Sequence, residues 1–307
     1  QNIPHWDKFV RRLADAKYRV YVTGSNAKML SKEVATTLGG RFFIYDAYPY
    51  SFKEYLAAQH VELKEHWEYD TIQRSEVKRH LNEYLYYGGL PEILSFKKKR
   101  AMLSSLYQKI YLGDICARNN IKNDRVLNIL IKKMAESVKQ PLSYNRLKNV
   151  IVATGSPISV PTTIDYVDYA SDSWLILPME NEVGKLTEKE MQKKYYFVDN
   201  GLLNLFLMNS ETSLLENMVA VELCRRFSKK NVFFLNAEKE IDFIVPDEKL
   251  AIQVSYSIKD ETTYNREVPP LAKYAKAHED WKCLLITYDE EGTEEGIPVV
   301  PVWKWLM

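Results

Sequence analysis

Apolar positions open the chain at three- and four-residue spacing, with Ile3, Trp6, Phe9, Val10 and Leu13 on one side, and predict an amphipathic helix over residues 5–17. Pro4 pre-sets its early turn. Residues 18–25, YRVYVTGS, then read as a short β-rich strand ending in a polar tip, and AKMLSKEVATTL returns to helical spacing. In open α/β sheets ligands lie at the carboxyl ends of strands, so Thr23, Ser25 and Asn26 project where a ligand would sit, although a helix cap accounts for Ser25 or Asn26 as well. From Ser51 to about Ala117 the period is helical, broken at Gly-Gly-Leu-Pro, and residues 122–139 predict a further amphipathic helix stopped by Pro141.

Composition narrows the classes. The 307 residues, 46% hydrophobic and 27% charged, suffice for two or three domains with their own cores. Forty-two Lys+Arg against forty-one Asp+Glu leave a net charge of +1, so any attraction to nucleic acid must be local. Eleven Gly and twelve Pro are too few for a low-complexity chain, and no run of about eighteen apolar residues offers a membrane span. Cys116, Cys224 and Cys283 are odd in number and far apart, which predicts reduced, buried thiols and a cytoplasmic protein. The spacing of His60 and His66 matches no metal pair, and no nucleophile-elbow or zincin motif occurs.

Three stretches taken together, QNIPHW, YVTGSNAKMLSKEVATTLGGRFFIYDAYPYSFKEYL and YYGGLPEIL, resemble bacterial and archaeal AAA+-type P-loop ATPases that carry a C-terminal domain of unknown function. The resemblance runs almost end to end. It implies a fragment beginning just after the Walker B strand, because neither a Walker A loop nor an acidic Walker B strand is found; Gly39-Gly40-Arg41 and Gly88-Gly89 lack the Lys-Ser/Thr that would make them phosphate loops. It also places Asn26 as the sensor residue that orients the attacking water, and Arg41 as a phosphate-contacting or arginine-finger residue, the alternative for Arg41 being a solvated strand edge. ATP and Mg²⁺ are then expected in the parent protein only, with no cofactor in this fragment. The expected organisation is α/β plus α: residues 1–50 as the back half of the nucleotide core, 51–118 as its helical lid, 119–209 as a winged-helix module and 210–307 as a mixed-sheet nuclease-like domain.

The third unit rests on the order helix, Gly-containing turn, second helix near 160–171, then strand, which is that of a winged helix-turn-helix. Its second helix carries Asp165, Asp168 and Asp172 but no Lys or Arg, which argues against major-groove reading; Arg146 and Lys148 on the preceding helix keep a nucleic-acid partner open beside a protein one. Lys97-Lys98-Lys99-Arg100, the densest basic run, could neutralise phosphates, or serve as a solvated connector before a helix.

The last third runs helix, β-hairpin, strand, helix around 264–278, strand, strand, the order of a restriction-endonuclease-like core. The family comparison puts Glu216 at its helix acid and Asp242 at its hairpin acid, the pair that would hold a divalent ion weakly, with Glu240 two residues away on the same face. Gln253-Val254-Ser255 stands where Glu-x-Lys is needed, so the expected centre has lost a carboxylate and its ammonium. That favours a degenerate, binding fold over a working metal-dependent nuclease, a non-enzymatic winged-helix DNA regulator being the other alternative.

Overall fold

The computed structural model describes residues 5–24, 42–237 and 240–307. Asn26, Arg41 and the helix expected after Asn26 lie outside these described residues. Helix α1 (Trp6–Asp15) forms as its periodicity predicts, but buries no residue fully. The strand expected over 18–25 is corrected: residues 18–24 carry no regular secondary structure, and Tyr18, Tyr21 and Val22 are exposed. A strand exists by its ladder hydrogen bonds, and none of the described residues pairs with this one.

A helical stretch follows: α2 (Phe52–Ala58), α3 (Thr71–Tyr87), α4 (Pro91–Leu94) and α5 (Lys99–Lys109), the last running into a π-helix over Ile110–Ala117. Ser51 and Glu54 close a capping box at the start of α2, satisfying backbone N–H groups that helix geometry leaves orphaned. Next come α6 (Asp124–Glu136), β1 (Leu142–Ser143), α7 (Tyr144–Ala153), α8 (Val160–Asp172), β2 (Ile176–Met179), α9 (Leu186–Met191) and β3 (Gln192–Phe197). Their strands form an antiparallel sheet in the order β1-β3-β2.

After α10 (Asn200–Leu203), helix α11 (Glu211–Phe227) is buried on every side from Leu214 to Cys224, which marks it as a central helix rather than a surface one. The strands β4 (Phe233–Asn236), β5 (Glu240–Val245), β6 (Leu250–Ser255), β7 (Lys282–Thr287), β8 (Gly292–Glu294) and β9 (Ile297–Pro301) make a six-stranded mixed sheet in the order β4-β5-β6-β7-β9-β8. Helix α12 (Glu261–Ala277) crosses between β6 and β7, which run parallel, and α13 (Val302–Trp305) ends the chain. Alternation along β6 decides what packs on each face. Ile252 and Val254 join the large core shared with α11, the helical stretch and the three-stranded sheet, while Ala251 joins a smaller core with Val268 and Leu271 of α12. A parallel bridge between Asn181 and Phe234 links the end of β2 to β4, so the two sheets meet.

Asp199, the cap of α10, ties distant segments together by accepting the backbone N–H groups of Gly89, Gly201 and Leu202. Gly88 packs directly against it: its φ is +74°, and a Cβ there would lie 2.1 Å from Asp199 Oδ1.

Candidate functional site

Strand β3 lies against α11 because one side chain takes over its backbone bonding. Asn217 accepts the Phe197 N–H at 2.7 Å and donates to the Phe197 carbonyl at 2.9 Å and to Asn200 Oδ1 at 2.9 Å. Two residues of β3 that share a face by the strand's period of two, Lys194 and Tyr196, then reach Glu216, the residue before Asn217. Tyr196 donates its hydroxyl to Glu216 Oε1 at 2.9 Å.

Lys194 is fully buried, and its Nζ lies 3.4 Å from Glu216 Oε1, 2.8 Å from Glu240 Oε1 and 3.3 Å from Asp242 Oδ1. The three carboxylates are thus brought together, around an ammonium that sequence reasoning placed nowhere near them. The expectation of a centre without a lysine is corrected: the cation comes from β3, not from position 255 on β6. Burial alone would favour the neutral amine, but Glu216, Asp242 and Glu240 together hold Lys194 well above the ordinary lysine range. Burial and the neighbouring Asp242 push Glu216 up to about 7, against the pull of Lys194 and the Tyr196 hydroxyl.

Gln253 faces this centre from β6. The β5–β6 pairing ends at Phe243 and Ile252, and beyond it side chains replace the ladder. Gln253 Oε1 accepts the Asp242 N–H at 3.2 Å, and Asp242 Oδ2 accepts the Val254 N–H at 3.0 Å. Gln253 Nε2 donates to Glu267 Oε2 on α12, whose other oxygen accepts from Arg266 Nε at 2.7 Å. Burial, then Asp242, raises Glu267 above the usual carboxylate range. Ser255 turns its hydroxyl to the Ser257 carbonyl at 2.9 Å and joins none of the carboxylates.

Lys194 and Glu267 are the residues that sequence reasoning missed. A lysine immediately before the apolar run YYFV was the available signal, but its partners lie 22 to 48 residues away along the chain.

A metal-dependent nuclease centre would need a divalent ion between Glu216 and Asp242, and these residues do not fit one. The Lys194 ammonium stands among the three carboxylates, Gln253 spends its oxygen on a backbone N–H, and the second Asp242 oxygen is taken by another. Among the described residues no group of three or more His, Cys, Asp or Glu is arranged to hold a metal. No helix among them is long and apolar enough to cross a membrane, and all three cysteines are free and buried.

Two family models match the chain: an AAA domain over residues 1–56 and a domain of unknown function, DUF8612, over residues 78–213. The uncharacterized protein MJ1544 of Methanocaldococcus jannaschii is 33% identical across 99% of this chain and 72% of its own length. An uncharacterized protein of Haemophilus influenzae is 31% identical across 100% of this chain and 76% of its own length. No solved structure matches.

Proposed function

Because the chain belongs to the family of MJ1544 and its Haemophilus influenzae relative and carries an AAA-type match at its N-terminal end, we propose that it is the C-terminal part of an AAA-type ATPase whose residues 210–307 form a nuclease-like unit that binds without cutting. One observation carries the second half: Lys194 supplies the centre with a built-in cation in contact with three carboxylates. The nuclease-like assignment draws support from the sheet order and from the parting of β5 and β6 at Asp242 and Gln253, where each side chain accepts a backbone N–H of the other strand.

The unit over 119–209 is read as a winged helix on the order α6, β1, α7, α8, β2, β3 with its β1-β3-β2 sheet. Its second helix, α8, offers no Lys or Arg to a phosphate groove, so its role here is to deliver β3, and Lys194 with it, to α11. In the intact ATPase, Asn26 is the sensor and Arg41 the phosphate-contacting or arginine-finger residue, with ATP and Mg²⁺ held by segments this sequence does not contain.

A cutting centre is the second reading, and what favours it is the convergence of Glu216, Glu240 and Asp242 at one place. Incubating supercoiled plasmid with the chain in Mg²⁺ and in Mn²⁺ separates the two. The binding reading expects no nicked or linear product; product that disappears in the Asp242→Asn variant overturns it.

A further inference from the structure

We infer that the cleft between α3, α5 and α10, outside the carboxylate centre, binds single-stranded nucleic acid. It measures about 410 Å³ and is walled by Arg79, Asn82, Tyr86, Tyr87 and Arg100. That volume lies within the usual range of ligand sites.

Its positive charge is unspent. Arg79 donates to His80 Nε2 at 2.8 Å, and Arg100 donates to the carbonyls of Asn204 and Leu205 at 3.2 and 3.4 Å. These acceptors are neutral, burial and Arg79 itself keeping His80 below the ordinary histidine range, and no carboxylate among the described residues pairs with either guanidinium. The one acid in the wall, Glu83, is already held by Lys99 Nζ at 2.5 Å and the Tyr55 hydroxyl at 3.0 Å. Lys97 and Lys98, just ahead of α5, are exposed and have no carboxylate partner among the described residues either. Cations at the amino end of a helix oppose its dipole, and this first turn has no acidic residue, so Lys97 and Lys98 do not serve the stability of α5.

The remaining wall suits bases. Tyr86 is fixed by donating its hydroxyl to Glu211 Oε1 at 2.9 Å, and Lys99 Nζ lies 5.7 Å from the Tyr87 ring centre, so both rings are held in place. Aromatic faces beside guanidinium groups are the combination on which unpaired bases stack while the backbone is neutralised. The side chain of Asn82 is exposed and makes no hydrogen bond among the described residues, leaving its donor and acceptor for a base edge. A duplex is read by an element that projects into a groove, whereas this surface is concave.

The test is fluorescence anisotropy of a fluorescein-labelled oligothymidylate titrated with the 307-residue chain in EDTA at low salt. Saturable binding is expected, weakening with salt at a log–log slope of about −3 for four neutralised phosphates. Arg79→Glu and, separately, Lys97→Glu with Lys98→Glu should each weaken it about tenfold or more with the thermal midpoint unchanged. The lysine pair holds no side-chain partner, so it keeps the test decisive if Arg79→Glu misfolds. No saturable binding, wild-type affinity in the properly folded variants, equal affinity for a duplex of the same length, or full displacement by ATP would each overturn the proposal. EDTA removes divalent ions, so the outcome is independent of whether the carboxylate centre cuts.

Discussion

Lys194 Nζ stands 3.3 Å from Asp242 Oδ1, joining β3 to β5 across 48 residues of sequence. Removing one partner of a buried ionic cluster leaves the others desolvated and unpaired, which costs about 3–5 kcal/mol. Lys194→Met should therefore destabilise the chain by about that amount in urea unfolding, and adding Glu216→Gln should recover part of it by removing one stranded anion. A Lys194→Met midpoint equal to the wild type would show that the ammonium does not hold the centre together.

Glu216 gives the same cluster a pH dependence. Its folded pKa of about 7 lies above the ordinary 4.5, so the folded state binds this proton more tightly than the unfolded chain does. Stability from this group is fully present below about pH 4.5 and is lost as pH rises through about 7. Asp199, pushed up to about 6 by burial against its backbone hydrogen bonds, acts in the same direction over a lower window. Thermal midpoints should fall as pH rises from about 6.5 to 8, above the range in which His80, held below the ordinary histidine value of 6.5 by burial, acts in the opposite direction, and Glu216→Gln should flatten that fall. An unchanged slope in Glu216→Gln would place its pKa near the ordinary value.

At the loop that Asp199 ties down, Gly88→Ala should be strongly destabilising. The added Cβ would sit 2.1 Å from Asp199 Oδ1, at a φ of +74° that costs an alanine about 1–3 kcal/mol before the clash. Equilibrium denaturation reads this directly, and a loss under about 1 kcal/mol would mean that the loop relaxes around the methyl group.

Titration calorimetry with ATP·Mg²⁺ should show no tight binding to these 307 residues, since the Gly-rich loop and lysine that cradle the phosphates are not among them. A micromolar or tighter Kd would reveal a nucleotide site built from other residues.

Period and punctuation made the long helices legible: α1, α3, α6 and α8 form where apolar spacing and Pro141 place them. The run at 18–25 misled because β-propensity describes a side-chain surface, whereas a strand is completed only by a partner. In the carboxylate centre, the same-face relation of Glu240 and Asp242 followed from the period of two, and the comparison with nuclease-like cores singled out Glu216. Lys194 did not follow from either. Its place depends on Asn217 gripping Phe197 and on the bridge from Asn181 to Phe234, contacts between segments far apart in sequence. Glu267 was hidden for the same reason, its role set by Gln253 reaching across from β6 to α12.

Whether Lys194 occupies the carboxylate centre as its cation is read by a Mn²⁺ titration of the chain followed by electron paramagnetic resonance of the free ion. With the ammonium in place, free Mn²⁺ should rise from the first addition, with no stoichiometric uptake below millimolar concentration. One ion bound per chain, and lost in Asp242→Asn, would contradict it.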